Sequence, residues 1–92
     1  MRTELVEIYS DTTNAAIIRH PGRRFPGILV QGDTLCALCS RADQACREAR
    51  SASVGGGLRE INELRNVLWG LLTRYKATLA EHDLPLPFDE VP

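Results

Sequence analysis

The residues with the clearest chemical character lie in the segment RHPGRRFPGILVQGD, residues 19 to 33. Its three arginines carry planar guanidinium groups, which donate forked hydrogen bonds to carboxylates and phosphates. A histidine and an aromatic ring lie beside them in the sequence. We call this candidate binding surface for a small anion or nucleic acid the arginine tip: Arg19, His20, Arg23, Arg24 and Phe25.

A turn is the competing and favoured interpretation of the same segment. Pro21-Gly22 and Pro26-Gly27 each match the central pair of a type II turn, in which proline presets φ and glycine accepts a positive φ. The segment then reads as a strand, a turn and a short kinked strand, with Phe25 folded onto the core. Asp33 is expected to cap the following helix, where its carboxylate would occupy the place of an anionic ligand.

The three cysteines raise the question of a metal or redox site. Cys36 and Cys39 have C-x-x-C spacing, and Cys46 follows seven residues later on the same helical face. A zinc site would need a fourth ligand, His20 or His82, and its cysteine pair would normally lie on a turn. Inside an apolar helix, reduced cysteines are instead expected to act as small core residues. We predict no metal, no cofactor and no catalytic residue, because no serine, histidine and carboxylate set has a recognisable spacing.

Two regimes of hydrophobic periodicity meet near Asp33. Before it, short β-branched runs predict strands at about 4–10, 14–20 and 27–32, and SDTTN is expected to turn through side-chain bonds to backbone amides. After it, helical spacing predicts helices at about 33–51 and 58–82, joined through SVGGGLRE and followed by a tail, 83–92. The expected fold is one α+β domain, 1–92, with a three-stranded antiparallel sheet followed by two helices in two layers.

The second helix carries more apolar surface than this fold needs. Its expected core stripe consists of seven residues at helical spacing: Ile61, Leu64, Leu68, Leu71, Tyr75, Leu79 and His82. Further apolar residues widen the face, and soluble monomers avoid large exposed apolar patches. A homodimer that pairs second helices would cover it, with the candidate interface at Trp69, Leu72 and Tyr75. A groove for another protein's helix is the alternative.

Charge and hydropathy limit the classes of partner that we expect the protein to bind. The 92 residues carry a net charge of -1, so no global field attracts nucleic acid or an anionic membrane, and nucleic acid is an unlikely partner. The first residues are acidic where a signal peptide is apolar, and no run is long enough to span a bilayer. These features predict a cytoplasmic protein with reduced thiols and no membrane contact.

The segment NAAIIRHPGRRFPGILVQGDTL resembles the signature of a family of small bacterial proteins of about 90 residues and unknown function. Members are similar in having P-G-R-x-F-P-G, then Q-G-D and two helices, and the resemblance covers about residues 4–86. The resemblance implies a bacterial protein with a single domain, but it assigns no binding or catalytic residue in this chain. The cysteines are not part of the pattern.

The function predicted from these features is binding. An interface stripe and an arginine tip without a catalytic set favour a non-enzymatic interaction protein of a regulatory or immunity type, with an unknown protein partner. The alternative is a small-anion or nucleic-acid binding module that works through Arg19, Arg23 and Arg24.

Overall fold

The computed structural model of the chain describes residues 1–52 and 57–90. Three strands, β1 (Glu7–Ser10), β2 (Ala16–Arg19) and β3 (Gly27–Leu29), precede two helices, α1 (Gly32–Ser51) and α2 (Leu58–Glu81). This order confirms the α+β prediction. The chain divides into two compact units, Met1–Gln31 and Gly32–Pro92, at the change of periodicity seen in the sequence. The single domain and the two-layer packing stay predictions.

The sheet unit is an antiparallel meander in the order β1-β2-β3. Its strands are shorter than the sequence indicated, because pairing extends only over the four residues of β2. Ile8 pairs with Ile18 and Ser10 with Ile17, so the register shifts at Tyr9. In the connection to β2, the Thr13 hydroxyl accepts a hydrogen bond from the Ala15 amide at 3.3 Å, as predicted for SDTTN.

One of the two predicted proline turns is present. Gly22 has φ of +84°, and the Arg23 amide donates to the His20 carbonyl at 3.0 Å, which closes a type II turn around Pro21-Gly22. The prediction for Pro26-Gly27 was wrong. Gly27 has no positive φ and begins β3, where it pairs with Ile18.

The two helices pack against each other in antiparallel directions. Near one end Gly32 lies against Tyr75, and further along Asp43 contacts Arg65 and Trp69. The side chains buried between the helices are those of Cys39, Cys46, Ala49 and Leu72. The core role expected for Cys39 and Cys46 is therefore confirmed.

The helix ends use local hydrogen bonds. Asp33 was predicted to be the N-cap of α1, but it lies inside the first turn, and its Oδ1 accepts from the Thr34 amide at 2.9 Å. At the other end of the unit His82 caps α2, followed by Asp83 at φ +55°. The Leu84 amide donates to the Leu79 carbonyl at 2.9 Å, which completes a Schellman motif. Residues 53–56 of the predicted SVGGGLRE connector and residues 91–92 of the tail lie outside the described residues.

Candidate binding surfaces

Arg19 is held inside the sheet unit by two contacts. Its cross-strand neighbour is Glu7, whose carboxylate accepts a hydrogen bond from Arg19 Nε. Its Nη1 donates to the Arg23 carbonyl at 3.0 Å, across the Pro21-Gly22 turn. The hydrogen bond to Glu7 and the carboxylate's charge raise the pKa of Arg19. Arg19 therefore joins β1, β2 and the turn, and two of its three guanidinium nitrogens already donate hydrogen bonds within the sheet unit.

Three other residues of the arginine tip line a shallow depression. His20, Arg23 and Phe25 line a cavity of about 310 Å³ whose other lining residues are apolar or glycine: Ile18, Gly27, Ile28 and Leu29. Phe25 is 72% exposed, so the prediction that it folds onto the core was wrong. Its ring instead lies 5.4 Å from the Arg24 guanidinium carbon, a cation–π contact that is compatible with an exposed position. The structure thus brings three tip residues around one cavity and ties Arg19 elsewhere.

The three residues predicted to form an interface have partners within the helical unit. Leu72 is 1% exposed and lies in the core. Trp69 donates its indole N–H to Asp43 Oδ1 at 3.0 Å, and its ring lies within 6 Å of the Arg65 and Lys76 charges, at 5.9 and 5.8 Å.

Tyr75 is also held within the unit. It stacks on Phe88 with ring centroids 6.5 Å apart, which fixes the C-terminal segment beside α2. With Trp69 and Leu72, its first role is therefore to hold the unit together.

A second stripe of α2 is exposed instead. Leu64, Val67 and Leu71 are 60%, 60% and 49% exposed, and they recur at steps of three and four residues on one helical face. We call these three residues the α2 stripe. Leu64 and Leu71 were expected in the core stripe, and this prediction was wrong. In the structure α2 is rotated about its own axis, so that Leu68 and Leu72 face α1 more closely than Leu64 and Leu71 do.

Polar contacts explain this rotation of α2. Asp43, on α1, accepts hydrogen bonds from both Arg65 and Trp69, so α2 presents these residues to α1. Sequence reasoning missed this cluster because hydropathy places arginine outside a core. The signal available was the helical spacing of Arg65, Leu68, Trp69 and Leu72, which puts all four on one face.

A depression in the surface of the helical unit adjoins this cluster. It has a volume of about 410 Å³ and is bordered by Cys36, Asp43, Lys76 and the C-terminal segment. Lys76 pairs there with Glu90 at 2.9 Å, and Asp43 is already shared between two donors. Both Asp43 and Glu90 therefore already have partners within the helical unit.

The cysteines lie on the inner face of α1. Burial raises the pKa of the Cys39 thiol, which disfavours the nucleophilic thiolate. Within residues 1–52 and 57–90, no three histidine, cysteine or carboxylate side chains are close enough to hold a metal ion. Neither described helix is long and apolar enough to cross a membrane.

No curated protein and no solved structure matches the chain. A model described as "Family of unknown function (DUF6959)" matches residues 1–88, which is nearly the whole chain and includes both units up to Phe88. The protein therefore belongs to this family of unknown function, DUF6959.

Proposed function

We propose that this protein is a protein–protein interaction module and that it binds a helix of its partner through the α2 stripe. The observation that carries the proposal is the exposure of Leu64, Val67 and Leu71 although α1 already covers the neighbouring face of α2. A row of apolar side chains at helical spacing is the surface on which a second helix packs.

The energetics support a binding role for the α2 stripe. Fully burying a leucine or valine side chain contributes about 1.5 to 3 kcal/mol. The three side chains of the α2 stripe are 49% to 60% exposed, so covering each of them on binding should contribute roughly half of that. Binding costs translational and rotational freedom, which this gain must offset. The surface is therefore suited to a reversible contact.

A regulatory or immunity-type role in a bacterial cytoplasm is part of the proposal. The family resemblance supports a bacterial origin, and the three free thiols support a reducing compartment such as the cytoplasm.

A capture experiment tests the proposal. Tagged wild-type protein is compared with Leu64→Lys/Leu71→Lys, and with Asn66→Lys/Thr73→Lys as the matched control, since both control positions are exposed on another face of α2. All three should give the same circular dichroism spectrum. We expect wild type and the control variant to capture the same proteins from a lysate of the native host, including untagged copies of this chain. The stripe variant should not capture them. An identical set on all three would contradict the proposal.

Anion binding is the second candidate, and the 310 Å³ cavity at the arginine tip favours it. An apolar floor with Arg23 and His20 at its border suits a small anion with an apolar body. Arg24 contributes a second positive charge at the same end of the sheet unit, whereas Arg19 is engaged by Glu7.

Salt dependence tests the anion candidate. Inorganic phosphate, benzoate and a single-stranded oligonucleotide are titrated against wild type and Arg23→Ala/Arg24→Ala. For a polyanion, affinity should fall by roughly one log unit per log unit of salt for each phosphate neutralised. Equal binding by wild type and variant would exclude the arginine tip as the site.

A further inference from the structure

The α2 stripe is the centre of a longer seam with heptad spacing. Alternating steps of three and four residues, counted outward from the α2 stripe, stay on the same face of α2. They reach an acidic residue on one side of the stripe and a basic residue on the other. We call this the α2 seam: Glu60, Leu64, Val67, Leu71, Arg74 and Thr78. Such a period of 3.5 residues is the pattern by which two helices pack along their length.

The charges at the ends of the α2 seam determine what fits it. Glu60 lies seven residues before Val67 and Arg74 seven residues after it. A second copy of α2 running antiparallel, with the two-fold axis at Val67, places Glu60 opposite Arg74 and brings Leu64 within one residue of the level of Leu71 in both halves. A parallel copy would place like charges opposite each other, which is unfavourable. We propose that the occupant of the α2 seam is a second copy of this chain, paired antiparallel about Val67; this rests on the proposed function.

The two end charges are available for this pairing. Among the ion pairs of the described residues, none includes Glu60 or Arg74, whereas Glu63 beside the seam is paired with Arg59 at 3.2 Å. On the flank away from α1, Gly70 and Ala77 are small, and a Cβ added at Gly70 would meet nothing within 4 Å. Gly70 and Ala77 therefore leave room for a second copy at these two positions.

The other flank of the α2 seam is widened by α1. Gly32 lies at the level of Tyr75 and Asp43 at the level of Arg65 and Trp69, so the antiparallel register places Leu38 near residues 70–71. Leu38 is 40% exposed and lies on the flank of α1 next to Leu35 and Ala42. In antiparallel helices this flank is on the same side of the pair as the α2 seam, so Leu38 adds to the apolar surface.

The size of the contact predicts its strength. A 24-residue helix is about 36 Å long, and two helices about 10 Å wide bury roughly 700 Å² between them. Stable complexes usually bury about 1,200 Å² or more, so the dimer should be weak and reversible, with a Kd on the order of 10 to 100 µM.

Charge reversal tests both the contact and its direction. The masses of wild type, Glu60→Arg, Arg74→Glu and the double variant are measured by sedimentation equilibrium from about 5 to 500 µM, a range chosen to bracket the expected Kd. Each single reversal creates two like-charge contacts across the two-fold axis and should raise Kd at least about tenfold. The double variant restores opposite charges and should return Kd to within about threefold of wild type. Glu48→Arg, an exposed position on α1, is the control for net charge.

Three outcomes would overturn the inference: a wild type that is monomeric throughout, single reversals that leave Kd unchanged, or a double variant that remains as weak as the singles. A circular dichroism spectrum for each variant separates a lost contact from a lost fold. A monomeric wild type together with stripe-dependent capture of another protein would refute the self-association and leave the proposed interaction function supported. Loss of both would refute both.

Discussion

Replacing Leu72 with alanine should lower the free energy of unfolding by about 3 kcal/mol, because truncating a buried leucine removes transfer energy and leaves a cavity. Leu72 is 1% exposed, whereas its neighbour Leu71 is 49% exposed. Leu71→Ala removes the same atoms from the same helix and should cost less than about 1 kcal/mol. The helix propensity change is identical for the two variants, so the difference isolates burial.

Urea and thermal unfolding, followed by circular dichroism and Trp69 fluorescence, measure this difference. At about 4 to 8 °C per kcal/mol for a domain of this size, Leu72→Ala should lower Tm by roughly 12 to 24 °C. Both variants should be compared at low micromolar concentration, where the proposed dimer is dissociated. Equal losses for the two variants, or a larger loss for Leu71→Ala, would refute the orientation of α2 described above.

Three further changes test other parts of the structure. Gly32→Ala should destabilise by about 1 to 3 kcal/mol in a urea titration, since its new Cβ would enter the space of the Tyr75 ring; an unchanged midpoint would contradict that contact. Asp83→Gly should stabilise by up to about 1 kcal/mol, because Asp83 ends α2 at φ +55° and glycine adopts this conformation freely; a loss of Tm would argue against the motif. A thiol reagent at pH 8 should modify half-buried Cys36 well before Cys39, whose pKa burial raises; equal rates under native conditions would contradict the burial of Cys39.

Local chemistry explains why part of this structure was predictable from sequence. The Pro21-Gly22 turn follows from two residues whose φ preferences match adjacent positions of one turn type, so no distant contact is needed. The helix bounds follow from periodicity and from Pro85 and Pro87 beyond α2. The core role of Cys39 and Cys46 likewise follows from their spacing on one face of α1.

The orientation of α2 could not be predicted in the same way. The helix has apolar residues on two neighbouring faces, so periodicity alone does not decide which face meets α1. Asp43 decides it, since it is a hydrogen-bond acceptor on the other helix that Arg65 and Trp69 reach. For the same reason Leu72 was expected at a surface and lies in the core, while Leu64 was expected in the core and is 60% exposed. Contacts between elements far apart in sequence carry this information.

Disulfide trapping tests the antiparallel seam most directly. In a Cys36→Ser background, Val67→Cys would lie on the two-fold axis next to its own copy, within the Cβ separation of about 3.5 to 4.5 Å that a disulfide needs. Leu64→Cys would be offset from its copy by roughly 9 Å along the helix axis, because three residues separate it from the axis on each side. We predict that mild oxidation gives covalent dimer for Val67→Cys and none for Leu64→Cys. Cross-linking of both positions would show a parallel pair, and cross-linking of neither at high concentration would contradict the account.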